Sequence, residues 1–483
     1  MGSYSPAKIV VLGAGPSGLC AAWNLVQNGH TVTVLEKEPV WGGQSITFER
    51  DGYKYDLGPH NIHSQRESVI RFLKNHLGSS FQEHKYAAQI YFMEKRINYP
   101  LQGVDVLRSI NIPTALACGL SFFYSRLKSL RLPNFKDDGS YETWIVNRFG
   151  RKFYDIFFGP YSEKVWKIPP KELDSIVAEK RVALVGLVQL IHAAIFKKQS
   201  YHPENPLTIQ NFYPVNGVGD ICNFFADGIV RNGGKIITGA TVEKIVTKGK
   251  AIEEISYRHN GSLQTLDLAN GEAPQESKVL STIPVNEFVL MMEGNVPDRV
   301  KQDALGLDFT SEVFLYMNVK KPDVFKIPLL YFSEDYFPFN RVYDVGIFSR
   351  KMVPADKNAL CFEISCTKGD ELWNLDDAAL FEKCMGPLEK HGLLNRSDVE
   401  AFHTRRLQHA YPRFRVGYKQ KVKTIFEFLD SIENVFSFGR EGLFSYANVD
   451  DAIWMGFEIA KNIATHDRMR LTTKEILPDY ISF

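Results

Sequence analysis

The sequence predicts an α/β protein: a Rossmann-like domain assembled from separated parts of the chain, with an inserted helical domain and an antiparallel-sheet domain. Three observations carry this expectation. An apolar strand, Lys8 to Leu12, enters a glycine turn and an apolar helix (Leu19 to Gln27), and a second strand, Thr31 to Leu35, ends in Glu36. Segments of the same character return after position 210 and again near the C-terminus. Between them the apolar pattern is helical from about 91 to 210 and strand-like from about 305 to 425.

The first unit is justified residue by residue. Gly13 permits the tight turn, Gly15 lets a pyrophosphate approach the backbone, and Gly18 lets helix and strand pack closely. Pro16 and Ser17 open the helix, whose N-terminus offers unpaired N–H groups and a partial positive charge to phosphates. Glu36, followed by Lys37, can accept hydrogen bonds from ribose hydroxyls. Strand, turn, helix and acid in this order form a dinucleotide-binding unit.

The next residues select the nucleotide. Glu36-Lys-Glu-Pro-Val-Trp-Gly42-Gly43-Gln44 follows without a gap, then Tyr55-Asp56-Leu-Gly58-Pro59-His60. A second glycine pair just after the ribose acid resembles the flavin-binding signature of the amine oxidase, protoporphyrinogen oxidase and UDP-galactopyranose mutase group, a Rossmann-like domain of GR2 type. The resemblance implies FAD held without a covalent bond, with Gly43 and Gln44 along the flavin and His60 beside it. The alternative is two unrelated turns in a nicotinamide enzyme.

Composition sets bounds. The 483 residues can form two or three domains, and 44% hydrophobic and 23% charged residues are those of an ordinary soluble protein. A formal net charge of +1 makes no electrostatic case for nucleic acid. Six scattered cysteines, with no Cys-x-x-Cys pair, suggest neither a disulfide framework nor a metal site. A reducing, cytoplasmic setting is expected. Two apolar stretches, Ile112 to Tyr124 and Val182 to Phe196, are shorter than the roughly 20 residues a spanning helix needs. They are expected as buried helices, with a membrane anchor as the alternative.

The expected organisation is a first part of the FAD-binding domain at 1–90, a helical substrate domain at 91–210, and a second FAD-binding part at 211–290. An antiparallel substrate domain at 291–425 and a last, flavin-contacting part at 426–483 complete it. In the second part, Ala240 to Ile245 is a strand, and the resemblance places the adenine end of FAD at Val242. In the last part, Gly439-Arg440-Glu-Gly442 and a helix from Asp450 to Ile463 return to the flavin.

Further motifs extend the resemblance across most of the chain. Tyr141-Glu-Thr-Trp-Ile-Val-Asn-Arg-Phe-Gly150, then Phe157-Phe-Gly-Pro-Tyr161-Ser162-Glu-Lys-Val-Trp166, then Arg181, resemble the helical region of eukaryotic-type UDP-galactopyranose mutases. Leu330-Tyr331-Phe332, Arg341, Arg406-Leu-Gln-His-Ala-Tyr411 and Gly439-Arg440 to Tyr446 follow in the same order. The resemblance implies that Tyr99, Phe157 and Tyr161 flank a nucleoside base, with Gln102 nearby. Arg341 and Arg440 would neutralise a diphosphate, aided by the hydroxyls of Tyr331, Tyr411 and Tyr446, with Arg181 on the substrate side. Arginine's planar fork matches two phosphate oxygens at once. Asp450 stands where the mutases have an amide near the flavin, and Leu329 where a tryptophan usually covers the substrate.

The resemblance implies an enzyme acting on a nucleotide sugar through reduced flavin N5, in a pyranose–furanose interconversion or a related sugar transformation. His60, Arg341, Arg440 and Tyr446 would carry the reaction, and NAD(P)H would reduce the flavin. A homo-oligomer is compatible with this reading. For Tyr99, Phe157 and Tyr161 the alternative is plain core, and for Arg181 a helix cap or an ion pair. The alternative function is an FAD-dependent oxidase or desaturase acting on an apolar substrate in a greasy tunnel.

Overall fold

The computed structural model describes residues 7–63, 66–84, 86–99, 109–131, 138–181, 210–269 and 277–465. Three sheets organise them. The first is a five-stranded parallel sheet in the order Val435–Ser437, Lys278–Ser281, Lys8–Leu12, Thr31–Leu35, Lys235–Ile237. Its central strand, Lys8–Leu12, is buried from Ile9 onward, as expected where helices cover both faces. The helix Pro16–Gln27 leaves the first glycine turn with proline in its first turn, where the missing N–H costs nothing. It packs against Gly219–Arg231 and Val449–Thr465. The last contact is close: a Cβ on Gly456 would stand 2.7 Å from that of Cys20. The segment expected to resume the domain after 210, and the tail after 434, therefore join the sheet and helices that open the chain.

A four-stranded sheet follows, in the order Ser262–Asp267, Ala251–His259, Thr241–Lys248, Met292–Glu293. The third sheet has seven strands, ordered Val399–Pro412, Phe309–Val319, Asn358–Cys366, Arg341–Asp344, Leu329–Phe332, Ala88–Phe92, Lys95–Tyr99. All its pairs are antiparallel except Leu329–Phe332 with Ala88–Phe92. The expected antiparallel domain thus recruits residues 88–99 from the N-terminal part of the chain. The boundary drawn between 90 and 91 falls inside a strand of this sheet.

The two faces of the large sheet have different tasks. Val313, Leu315, Met317 and Val319 point one way and join Leu360, Phe362 and Ile364. Together they pack on Leu380, Phe381, Cys384, Met385 and Leu388 of the helix Asp377–Lys390. Each such side chain contributes about 1.5–3 kcal/mol by leaving water, so this core fixes the sheet. The alternate residues face the parallel-sheet domain and form the wall of a cavity.

The first apolar stretch forms the helix Ile112–Arg131, longer than the expected Ile112 to Tyr124. Cys118 and Phe122 are buried. Ile112, Leu116, Leu120, Phe123 and Leu127 are exposed at the three- and four-residue spacing of one helix face. The expectation of a buried helix is corrected to a half-buried one. Among the described residues no helix is long and apolar enough to cross a membrane. The second stretch, Val182 to Phe196, lies outside the described residues.

Candidate functional site

A cavity of about 860 Å³ opens between the parallel-sheet domain and the inner face of the large sheet. Gly13, Gly15, Pro16, Ser17, Glu36, Lys37, Gly43, Gln44 and Val242 line one end. The rest is lined by His60, Tyr99, Tyr331, Arg341, Tyr411, Arg440 and Tyr446. The dinucleotide motif and the arginine–tyrosine motifs, far apart in sequence, thus share one space.

The first end fits a dinucleotide. Glu36 is buried, and its carboxylate accepts hydrogen bonds from the backbone N–H of Ala14 (2.8 Å) and of Glu38 (2.9 Å). Burial pushes its carboxyl up, against these two bonds. A Cβ on Gly15 would meet nothing within 4 Å, which leaves room for a phosphate over the helix N-terminus. Gly43, on the second turn, comes so near that its Cβ would stand 3.2 Å from the Cα of Gly15. Val242 lines the cavity where the strand Thr241–Lys248 carries a register shift between Val242 and Lys244. Gln44 donates to the His409 carbonyl and to Glu441, each at 2.8 Å, and so ties the second glycine turn to two later segments.

The loop carrying His60 is anchored by Asp56. Its buried carboxylate accepts from Thr47 Oγ1 (2.5 Å), from the hydroxyl of Tyr213, and from the backbone N–H of Val218. Its carbonyl accepts from the hydroxyls of Tyr316 (2.7 Å) and Tyr343 (3.1 Å) on the large sheet. Burial nevertheless raises its carboxyl to about 6. Gly58 then turns with φ +81°. A Cβ there would stand 3.3 Å from Glu363 Oε1 and Phe314 Cε1, so the loop lies flat on the sheet.

His60 Nδ1 lies 3.1 Å from the Gly58 carbonyl. Burial, and then the charges of Arg440 and Arg341, lower its imidazole to about 4. A neutral ring facing a carbonyl through Nδ1 carries its proton there, which leaves Nε2 as an acceptor.

The sheet face opposite is ordered by register. Tyr331 pairs with Arg341, Arg341 with Glu363, Glu363 with Phe314 and Phe314 with Arg405, so these five form one row across five strands. Within it Arg341 grips Glu363 through both fork atoms, Nε at 2.9 Å and Nη2 at 2.6 Å. Arg341, expected at a diphosphate, thus also carries an ion pair with Glu363. Its charge is already met by a buried carboxylate, which leaves its remaining N–H groups for a ligand. Arg440 differs. Its guanidinium lies 4.8 Å from each of the Tyr411 and Tyr446 rings, which stack 5.3 Å apart. It donates to the carbonyls of Ala410 (2.9 Å) and Ala447 (3.3 Å), and its buried Nε has no partner among the described residues. It makes no ion pair among the described residues, so its charge is available to an anion.

Other expected residues sit elsewhere. Gly18 and Gly439 shape the turns rather than the cavity wall: a Cβ on Gly18 would meet the Gly13 carbonyl, and one on Gly439 would meet Ser17 Oγ at 2.8 Å. Asp450 is buried in the first turn of Val449–Thr465, beside the lining residues Asn448, Val449 and Ala452. Phe157 is corrected to core: a π-helical turn, Tyr154–Phe158, stacks its ring on Phe153 and sets it edge-on to Phe92. Tyr161 packs partly buried against the same core and does not line the cavity. Tyr99 does line it, its ring 5.7 Å from that of Tyr331. Gln102 lies outside the described residues, and Arg181 ends the helix Ile176–Arg181 with its side chain outside them.

Glu312, Glu363 and Tyr86 also line the cavity and were not anticipated. A lone acid inside a continuous apolar strand, as in Thr310-Ser-Glu-Val-Phe-Leu and Leu360-Cys-Phe-Glu-Ile, is a readable signal, because a buried carboxylate needs a reason. Glu312 is 1% exposed. Burial, and then the charge of Glu363, push its carboxyl up to about 8.

Comparison with known proteins agrees with this architecture. A NAD(P)-binding Rossmann-like domain family matches residues 11–75. Prolycopene isomerase 2 of an Oncidium hybrid cultivar is 28% identical over 275 residues, which is 50% of this chain and 44% of that protein. The chain thus spans less than half the length of that relative. A 4,4'-diapophytoene desaturase of Staphylococcus haemolyticus is 22% identical over 81% of this chain and 78% of its own. Among solved structures, reduced UDP-galactopyranose mutase superposes with a TM-score of 0.82 at 22% identity, covering 97% of this chain and 96% of that one. A candidate protoporphyrinogen oxidase from Exiguobacterium sp. 255-15 superposes at 0.70 with 16% identity, covering 96% and 100%. The chain has the fold shared by UDP-galactopyranose mutase and the protoporphyrinogen oxidase group, built on a Rossmann-like dinucleotide-binding domain.

Proposed function

We propose that the protein is an FAD-dependent enzyme whose substrate is a nucleotide sugar. The observation that carries this reading is Arg440, a cation lying against two mutually stacked tyrosine rings with no carboxylate partner among the described residues, in the same cavity as the glycine turns and Glu36. A diphosphate needs such a fixed charge, and the hydroxyls of Tyr331, Tyr411 and Tyr446 add donors without further charge. The fold supports FAD at the glycine end, with the adenine side toward Val242 and the flavin toward His60.

When bound and reduced, the flavin supplies a nucleophile for the sugar. The chain's own residues supply the rest. Arg440 neutralises the diphosphate as a leaving group, and the N–H groups of Arg341 not bound to Glu363 help hold it for return. Neutral His60 offers Nε2 as a proton acceptor beside the flavin. The large sheet forms one wall of the cavity. NAD(P)H is the proposed reductant, the enzyme is proposed to work in the cytoplasm, and a homo-oligomer is compatible.

A second reading is supported by the desaturase and isomerase relatives: net oxidation or isomerisation of an apolar substrate. Leu57, Phe314 and Leu329 on the wall suit a polyene, whereas Arg341, Arg440, Glu363 and Glu312 there count against a wholly apolar channel. Titration of the purified protein with UDP, dTDP and GDP, following the flavin spectrum oxidised and reduced, separates the two. Binding of one of them, tighter in the reduced state, is the expected result. No binding in either state, with peroxide formed on an apolar substrate, would establish the second reading.

A further inference from the structure

Glu312 stands in the middle of the strand Phe309–Val319, on the face that lines the cavity. Its register partner on the next strand is Ser365. That hydroxyl accepts from Asn340 Nδ2 at 2.6 Å and donates to Glu312 Oε1 at 2.7 Å, so its direction is fixed. Glu312 Oε2 is buried and has no partner among the described residues. A carboxyl group held by one oxygen, with the other buried and unpartnered in the wall of a ligand-sized cavity, is poised for a contact that the described residues do not make.

The charges around it decide which form it takes. From Asn358–Cys366 comes Glu363, whose carboxylate already consumes the charge of Arg341. From Val399–Pro412 the paired residue is the apolar Leu407, and Arg406 beside it donates to the carbonyls of Trp373 and Leu375. From the end of the helix Gly159–Trp166 comes Lys167, whose charge favours the ionised form but acts on Glu312 less than burial and Glu363 do. A second carboxylate therefore has burial and a like charge against it, outweighing Arg341 and Lys167, and makes no ion pair among the described residues.

We propose that Glu312 is a further ligand-contacting residue, which carries its own proton and donates it in a hydrogen bond from Oε2 to an acceptor oxygen of the bound nucleotide. This inference rests on the nucleotide reading of the cavity. A protonated carboxyl suits a phosphoryl oxygen, which an ionised one would repel. It complements His60, which presents an acceptor on the same cavity wall.

The test is UDP binding, followed by the flavin spectrum from about pH 6 to about pH 10, for wild type, Glu312→Gln and Glu312→Ala. Wild type should lose affinity as Glu312 ionises, about tenfold for each pH unit above that point. Glu312→Gln keeps a neutral donor and should hold its affinity through the same range; Glu312→Ala should bind more weakly at every pH. A Glu312→Gln profile that tracks wild type overturns the inference. If wild type binds no UDP at any pH, the nucleotide reading itself fails, and this inference with it. Should Glu312→Gln not retain FAD, infrared difference spectra of wild type with and without UDP decide. A carboxylic-acid carbonyl band that shifts on binding supports the contact, and absence of any such band overturns it.

Discussion

At the scale of single residues the cavity sorts its charges by whether they already have partners. Arg440 has none of opposite sign among the described residues, so Arg440→Ala should weaken UDP binding by at least about 2 kcal/mol. Its FAD content should stay at the wild-type level, read from the absorbance of the purified protein. Arg341→Ala should behave differently, because it strands Glu363 at 3% side-chain exposure. Stability should fall along with affinity, by about 3–5 kcal/mol in urea denaturation, since a buried carboxylate loses its cation. Glu312 gives a pH-dependent sign. Its folded carboxyl titrates above the unfolded one, so the stability that protonation provides is complete below about 4.5 and is lost as pH rises through about 8. Glu312→Gln should therefore gain melting temperature relative to wild type as pH rises across that window, and by a constant amount above it. The aromatic residues show where residue-level reading ran short. Tyr99 and Phe157 are equally suited to stack on a base by type. Only the π-helical turn, which no local pattern announces, sends one ring to the core.

At the scale of elements the loop Tyr55 to His60 is the clearest case of sequence written for position. Asp56 receives bonds from three elements, and Gly58 brings the backbone onto the sheet. Gly58→Ala must place a Cβ at φ +81° and push it toward Glu363 and Phe314. It should cost about 1–2 kcal/mol in thermal or urea unfolding, and it should disturb the flavin spectrum by moving His60. The first glycine turn, its helix and Glu36 were legible because their geometry is local: a strand, a turn and a helix within about thirty residues. The row Tyr331, Arg341, Glu363, Phe314, Arg405 was not. It exists only through register among five strands, and one of the partners in that sheet, Ala88–Phe92, comes from the other end of the chain. Periodicity tells which residues alternate along a strand, but not what stands beside them.

At the scale of the whole molecule the cofactor end is built from widely separated segments: Gly13 to Gln44, Val242, and the turn at Gly439 to Tyr446 all converge. A dinucleotide bound there couples them, so removing FAD should lower the melting temperature. Restoring it at about a hundredfold over its Kd should return about 2.7 kcal/mol of stability, measured by calorimetry at fixed protein concentration. The discontinuous plan was legible because each return to the parallel sheet is itself an apolar strand with a glycine nearby. What places the segments 88–99 in the large sheet is tertiary pairing alone.

The order of the parallel sheet also bears on how the chain is made. Its central strand, Lys8–Leu12, leaves the ribosome with Thr31–Leu35, but the neighbour on its other side is Lys278–Ser281, and the edge beyond that is Val435–Ser437. At the usual pace of synthesis, about 5–20 residues per second, the first strands wait on the order of 10–50 seconds for that neighbour and longer for the edge. Those strands, apolar and half-paired, stay exposed to wrong pairings for that time. A message truncated before Val435 yields a chain whose nucleotide cradle can never be finished.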